Sequence, residues 1–123
     1  MRHEVTDADT ATALGSGDVP VLATPRLVAW MEAATVQSVQ RLLASGQTSV
    51  GTAVRIEHLR ATPVGGAVEV TATPSQDATG RRVAFDVRAV DGSGQVVGQG
   101  EIDRVIVDRG RFLAGVSNAD AGG

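Results

Sequence analysis

Three polar residues in this chain stand among apolar neighbours, and each carries a side chain able to act on a carbonyl group. Glu32 lies in the run Leu27-Val28-Ala29-Trp30-Met31-Glu32-Ala33-Ala34. On a helix its neighbours at three and four residues are Ala29, Val28, Thr35 and Val36, so no Arg of the same helix pairs with it. A carboxylate without a countercharge is a candidate base or nucleophile; the bland alternative is a charge at the helix edge that reaches water. His58 shares strand parity with Val54 and Ile56, which turns its ring toward the same side as those apolar residues. It is either a satisfied core histidine or an acid–base group. Thr24 stands at an N-cap position, with Pro25 following as the first helical residue. A capping hydroxyl needs no catalytic role, yet a helix N-terminus also suits a developing oxyanion. Hydroxyl, carboxylate and imidazole together are the ingredients of acyl transfer or proton abstraction. They meet only if the helix crosses the strand that carries His58, and spacing alone leaves that open.

Arg104 is a fourth residue of interest, because its parity sets it between Ile102 and Ile106. Such an Arg pairs with an acid or touches a ligand, and the pairing is the simpler reading. Other patterns carry less. Gly92-Ser93-Gly94 is a hairpin signal rather than a phosphate loop, since no helix with a Lys follows it. Neither a Gly-x-Ser-x-Gly elbow nor a His-Glu-x-x-His motif is present. With no Cys and only two His residues, disulfides and thiolate sites are excluded and a multi-His metal site is disfavoured.

The elements that must position these residues follow from periodicity. Met1 to Thr6 suits a short strand, and the polar stretch Asp7 to Gly17 suits no regular element. One long helix starts at Thr24 and Pro25, is apolar almost all round in its first half, and ends near Ser45, with Gly46 as its stop. Everything beyond reads as strand and turn. The alternation of Thr52 to Leu59, Ala67 to Ala72 and Arg82 to Ala89 predicts three strands, and a long fourth runs from Gln95 to about Asp108. Turns fall at Thr62 to Gly66, Pro74 to Gly80 and Asp91 to Gly94. Consecutive hairpins make the sheet antiparallel, and the fold class is α+β. Residues 1–114 form one domain, and 115–123 read as a flexible C-terminal tail.

Composition sets the outer limits. A chain of 123 residues with 42% apolar content fits a single globular core. That core is aliphatic, with two Phe, one Trp and no Tyr, and a thin layer of helix on sheet leaves apolar surface uncovered. A homodimer or larger assembly is expected to cover it. A net charge of −3 argues against nucleic acid as a partner, because phosphate neutralisation needs a basic face. All 11 basic residues are Arg, which reflects a Gly-, Ala- and Val-rich composition better than a taste for phosphate. No charged segment precedes an apolar run at the N-terminus, and no apolar run is long enough to span a bilayer. The default location is cytoplasmic.

Two groups of motifs resemble the fluoroacetyl-CoA thioesterase family. The first is Val21-Leu22-Ala23-Thr24-Pro25 running to Met31-Glu32-Ala33. The second is Val50-Gly51-Thr52-Ala53-Val54 running through His58 to Ala61-Thr62-Pro63-Val64-Gly65. Gly80-Arg81-Arg82 to Phe85 and Gly98-Gln99-Gly100 to Arg104 follow the same pattern, so the likeness spans about residues 20 to 113. The resemblance implies the hotdog fold, an antiparallel sheet of five or six strands wrapped around one long central helix, and a homodimer with its pocket at the subunit interface. It implies Thr24, Glu32 and His58 as catalytic residues, with Gly51 beside the acyl group; Arg104, on its parity alone, is the other candidate substrate-binding residue. The implied reaction is hydrolysis of an acyl-CoA thioester to carboxylate and free CoA, with no cofactor beyond the CoA of the substrate. One departure stands out. The family's fluoroacetyl-specific enzyme carries Phe residues in a lid before the catalytic Thr, whereas Gly15-Ser16-Gly17-Asp18-Val19-Pro20 has no aromatic. Three alternatives compete: a hotdog module that binds an acyl-CoA or hydrophobic acid without turnover, a hotdog dehydratase, and a purely structural oligomer. The dehydratase is disfavoured because the helix holds Glu32 but no His.

Overall fold

The alternation of Val83, Phe85, Val87 and Ala89 against Arg82, Asp86 and Arg88 is a strand with one dry face, and it lies at the centre of the sheet. The computed structural model describes residues 1–75 and 80–122. Strand β1 (Arg2–Glu4) leads through a 3-10 turn at Asp7–Asp9 to the short helix α1 (Ala11–Leu14). The long helix α2 (Thr24–Val39) follows, and then the strands β2 (Gln47–His58), β3 (Ala67–Pro74), β4 (Arg82–Asp91) and β5 (Val96–Asp108). Helix α3 (Arg109–Gly122) closes the described chain.

The five strands form one antiparallel sheet in the order β1-β3-β4-β5-β2, so β1 and β2 are its edges. Helix α2 lies on one face. Leu27, Met31, Ala34 and Val39 recur at helical spacing and pack on Val68, Val70, Phe85, Val97 and Ile102. Gly98 lets the helix approach, since a Cβ there would stand 2.7 Å from Leu27 Cδ2.

Four local expectations are corrected. The stretch Asp7 to Gly17 is not irregular: Thr10 caps α1 by accepting from the Ala13 N–H, and Gly15 ends it at a φ of 70°. Helix α2 stops at Val39 rather than near Ser45. A 3-10 turn at Gln40–Leu42 follows, and Leu43 turns to an extended conformation that brings its side chain onto the core. Beyond Ala114 the chain is helical, because Asp108 Oδ1 accepts from the Arg111 N–H and starts α3, so the boundary expected at 114 falls inside a helix. Pro74 belongs to β3, while Gln76 to Thr79 of the expected turn lie outside the described residues.

Helix α2 is also less enclosed than its composition suggests. A single sheet covers one face, and the opposite face leaves Ala29 exposed and Val36 40% exposed, while Glu32 stands at the flank, its carboxylate toward Gly51 and Arg104. On edge strand β2, Val54 is 42% exposed despite sharing parity with Ile56. Among the described residues no helix is long and apolar enough to cross a membrane.

Candidate active site

Thr24 is the first residue of α2, not its cap. Ala23 holds the N-cap position in an extended conformation and offers no side-chain bond, and Pro25 sits in the first turn. The Thr24 hydroxyl is thereby left for another partner. Its Oγ1 lies 2.8 Å from Nδ1 of His58, the last residue of β2. Pairing of β2 with β5 sets His58 opposite Gly98, the glycine on which Leu27 of the same helix rests. One close approach of helix to sheet thus brings the hydroxyl and the imidazole together.

The His58 ring is half-buried, and burial holds its pKa below the ordinary histidine value, with the Arg60 backbone working in the other direction. Its Nε2 is buried without a hydrogen-bond partner among the described residues. At neutral pH the ring is therefore uncharged, the state that accepts a proton. A cavity of about 290 Å³ opens beside this pair. Ser16, Gly17 and Val19 form one wall of it, Leu59 and Ala61 another, and Arg60 also lines it. A larger depression of about 620 Å³ lies on the solvent face of the sheet, among Glu57, Asp86, Arg88 and Glu101. It contains none of the candidate residues.

Glu32 belongs to a second group. Its Oε2 lies 3.9 Å from Arg104 Nη1, so the countercharge missing on its own helix comes from β5. Arg104 is 6% exposed, while the Glu32 side chain is 40% exposed. Arg104 Nε donates to Ser49 Oγ at 2.9 Å, and Nη2 donates to the Ser49 carbonyl at 3.2 Å. Burial lowers the Arg104 pKa, and the Glu32 carboxylate opposes that shift. Gly51 faces Arg104 in the β2–β5 register, just before an irregularity between Gly51 and Ala53. A Cβ on Gly51 would stand 3.0 Å from Glu32 Oε2 and 3.5 Å from Arg104 Nη1. The missing side chain is the space in which the carboxylate lies.

The five residues singled out in the sequence therefore form two pairings within one chain, Thr24 with His58 and Glu32 with Arg104 and Gly51. No hydrogen bond joins the two groups among the described residues. Thr24 and Glu32 are eight residues apart on α2, a rise of about 12 Å. Ser49 escaped notice in the sequence. Its signal was parity: it stands two residues before Gly51, on the same side of the strand. No group of three or more metal-ligating side chains is found among the described residues.

An antiparallel sheet with one long helix on it, and polar groups gathered along the helix and the strand after it, is the architecture of the hotdog thioesterases. A Thermus thermophilus protein described as a thioesterase superfamily member superposes with a TM-score of 0.90 at 28% identity, over 98% of this chain and 88% of its own. A point mutant of the fluoroacetyl-CoA-specific thioesterase FlK, crystallised with fluoroacetate and CoA, superposes at 0.88 with 31% identity, over 97% of this chain and 96% of its own. The profile of the fluoroacetyl-CoA-specific thioesterase family, FlK, matches residues 5–110. The fluoroacetyl-CoA thioesterase of Streptantibioticus cattleyicolor is 38% identical over 96 residues, 78% of this chain and 68% of that protein. The chain belongs to the FlK family, and so to the thioester hydrolases of hotdog fold.

Proposed function

We propose that the protein hydrolyses acyl-CoA thioesters at a site shared between two copies of the chain. The observation that carries this reading is the Thr24–His58 pair at 2.8 Å beside a cavity, a hydroxyl next to an uncharged imidazole. Thr24 attacks the thioester carbonyl while His58 takes its proton. The C–S bond breaks, and the departing CoA thiolate receives that proton. Water, deprotonated by the Glu32 carboxylate as base, then attacks the acyl ester; the acyl–oxygen bond breaks, Thr24 regains the proton, and the carboxylate leaves. CoA enters as part of the substrate, and the reading needs no cofactor.

Glu32 completes the site from the second copy. In its own chain it lies about 12 Å along the helix from Thr24. Its carboxylate is 40% exposed at the flank of the helix beside the free β2 edge, and Val36 on the helix and Val54 on that edge are exposed as well. A homodimer built on this face buries the apolar surface and brings each Glu32 toward the other copy's Thr24 and His58. Gly51 and Arg104 then lie beside the acyl group. The wall formed by Ser16, Gly17 and Val19 has no aromatic lid, which favours acyl groups other than fluoroacetyl. A cytoplasmic location belongs to the same proposal.

Purified protein, a panel of short, branched and aromatic acyl-CoAs, and a thiol reagent test the reaction. Thiol release well above buffer is the expected result, and none on any member of the panel sinks the reading. A binding module with the same pocket is separated by Glu32→Gln, which abolishes turnover in an enzyme and spares affinity in a binder.

A further inference from the structure

Ser49 touches neither Thr24, His58 nor the cavity beside them, yet it holds two of the three guanidinium nitrogens of the most buried Arg in the described chain. Both of its hydrogen bonds fall on the same side of Arg104: Oγ takes Nε at 2.9 Å and the backbone carbonyl takes Nη2 at 3.2 Å. An Arg side chain has several rotatable bonds, and one hydrogen bond leaves its planar head free to swing. Two bonds to a single residue, on Nε and Nη2, fix the plane of the head. The remaining nitrogen, Nη1, then points at Glu32 Oε2, 3.9 Å away, and at the bare Cα of Gly51.

We infer that Ser49 is a positioning residue, which clamps the Arg104 guanidinium so that Nη1 holds the Glu32 carboxylate against Gly51. The role of Glu32 in turnover rests on the function proposed above; the clamp itself does not. The geometry explains why a cation is buried at this place. Arg104 is desolvated by the sheet, the Glu32 carboxylate opposes that cost, and Ser49 supplies acceptors for two of its buried nitrogens. It also explains why a 40% exposed carboxylate is not free to wander. The Glu32–Arg104 contact is long for an ion pair, so it orients the carboxylate only if the guanidinium is itself held still.

The test has two independent readouts. In ¹⁵N NMR of the intact protein, the Arg104 Nε–H of the wild type exchanges slowly with water, and Ser49→Ala speeds that exchange by at least about tenfold. Ser49→Thr, which keeps the hydroxyl, restores slow exchange. In steady-state kinetics Ser49→Ala lowers kcat about tenfold with little change in KM, Ser49→Thr recovers most of it, and Ser49→Ala has no further effect in an Arg104→Gln background. Unchanged exchange in Ser49→Ala overturns the clamp. Faster exchange with wild-type kcat, or additive effects of Ser49→Ala and Arg104→Gln, overturns its role in positioning Glu32. The exchange measurement needs no substrate, so a wild type inactive on every acyl-CoA counts against the thioesterase reading while the clamp is still decided by the exchange rate.

Discussion

Gly51→Ala separates stability from turnover more cleanly than any other single change in this chain. The new Cβ would stand 3.0 Å from Glu32 Oε2, where ordinary contact begins near 3.4 Å, so the carboxylate must retreat by a few tenths of an ångström. It can do so without unfolding the chain, because the clashing atom is the far end of a 40% exposed side chain. The move draws the carboxylate away from the place where Arg104 holds it. The backbone gives no resistance, since Gly51 is not among the residues with positive φ. The substitution also removes freedom from the unfolded chain, worth about 0.4–1 kcal/mol in favour of the fold. Stability should therefore stay within about 1 kcal/mol of wild type, or rise slightly. Turnover should not. Displacing a reacting or orienting group by up to about 1 Å costs as much as 10²-fold, so kcat should fall roughly 10- to 100-fold. Thermal melting and thiol-release kinetics on the same preparation measure both. A variant that melts like wild type and turns over within about twofold of it would refute the idea that the carboxylate must lie against Gly51.

Other outcomes follow from the same geometry. Thr24→Ala and His58→Asn should each lower kcat by about 10²–10⁴-fold without unfolding the chain, measured by thiol release and circular dichroism. His58 and His3 both have pKa values lowered by burial, His3 where it stacks on Trp30 with ring centroids 4.4 Å apart. Because the folded state then binds fewer protons than the unfolded one, stability is full above the unfolded value of 6.5 and is lost as pH falls below it. Melting temperature should drop on acidification, and less steeply in His3→Phe. Activity should fall over the same window as His58 protonates. Leu27→Ala, which removes the side chain between α2 and Gly98, should cost about 2–5 kcal/mol in chemical denaturation.

Much of the fold was legible because periodicity reports burial directly. The strand β4 alternation, the hairpin at Asp91 to Gly94 and the end of the last strand at Asp108 all match the structure. The helix was harder to bound. Leu42 and Leu43 continue its apolar stripe, yet Leu43 reaches the core only by leaving the helix, a tertiary choice that periodicity cannot express. At the other end, Thr before Pro suits both a cap and a first helical residue, and the difference decides whether the Thr24 hydroxyl is occupied or left to face His58. Glu32 was conspicuous because no Arg stands three or four residues from it on its helix. Its partner lies 72 positions later on β5, and only the sheet register brings Ser49, Gly51 and Arg104 to one place.

The central claim is that one chain's Thr24 and His58 act together with another's Glu32. Mixing Glu32→Gln with His58→Asn tests it most directly. Each variant alone should be nearly inactive, and random exchange of subunits should make half of the dimers mixed. Every mixed dimer then holds one intact site, with Thr24 and His58 from the Glu32→Gln chain and Glu32 from the other, so activity should return to about one quarter of wild type. A mixture as inactive as its components, with mixed dimers demonstrated by native mass spectrometry, would contradict the account.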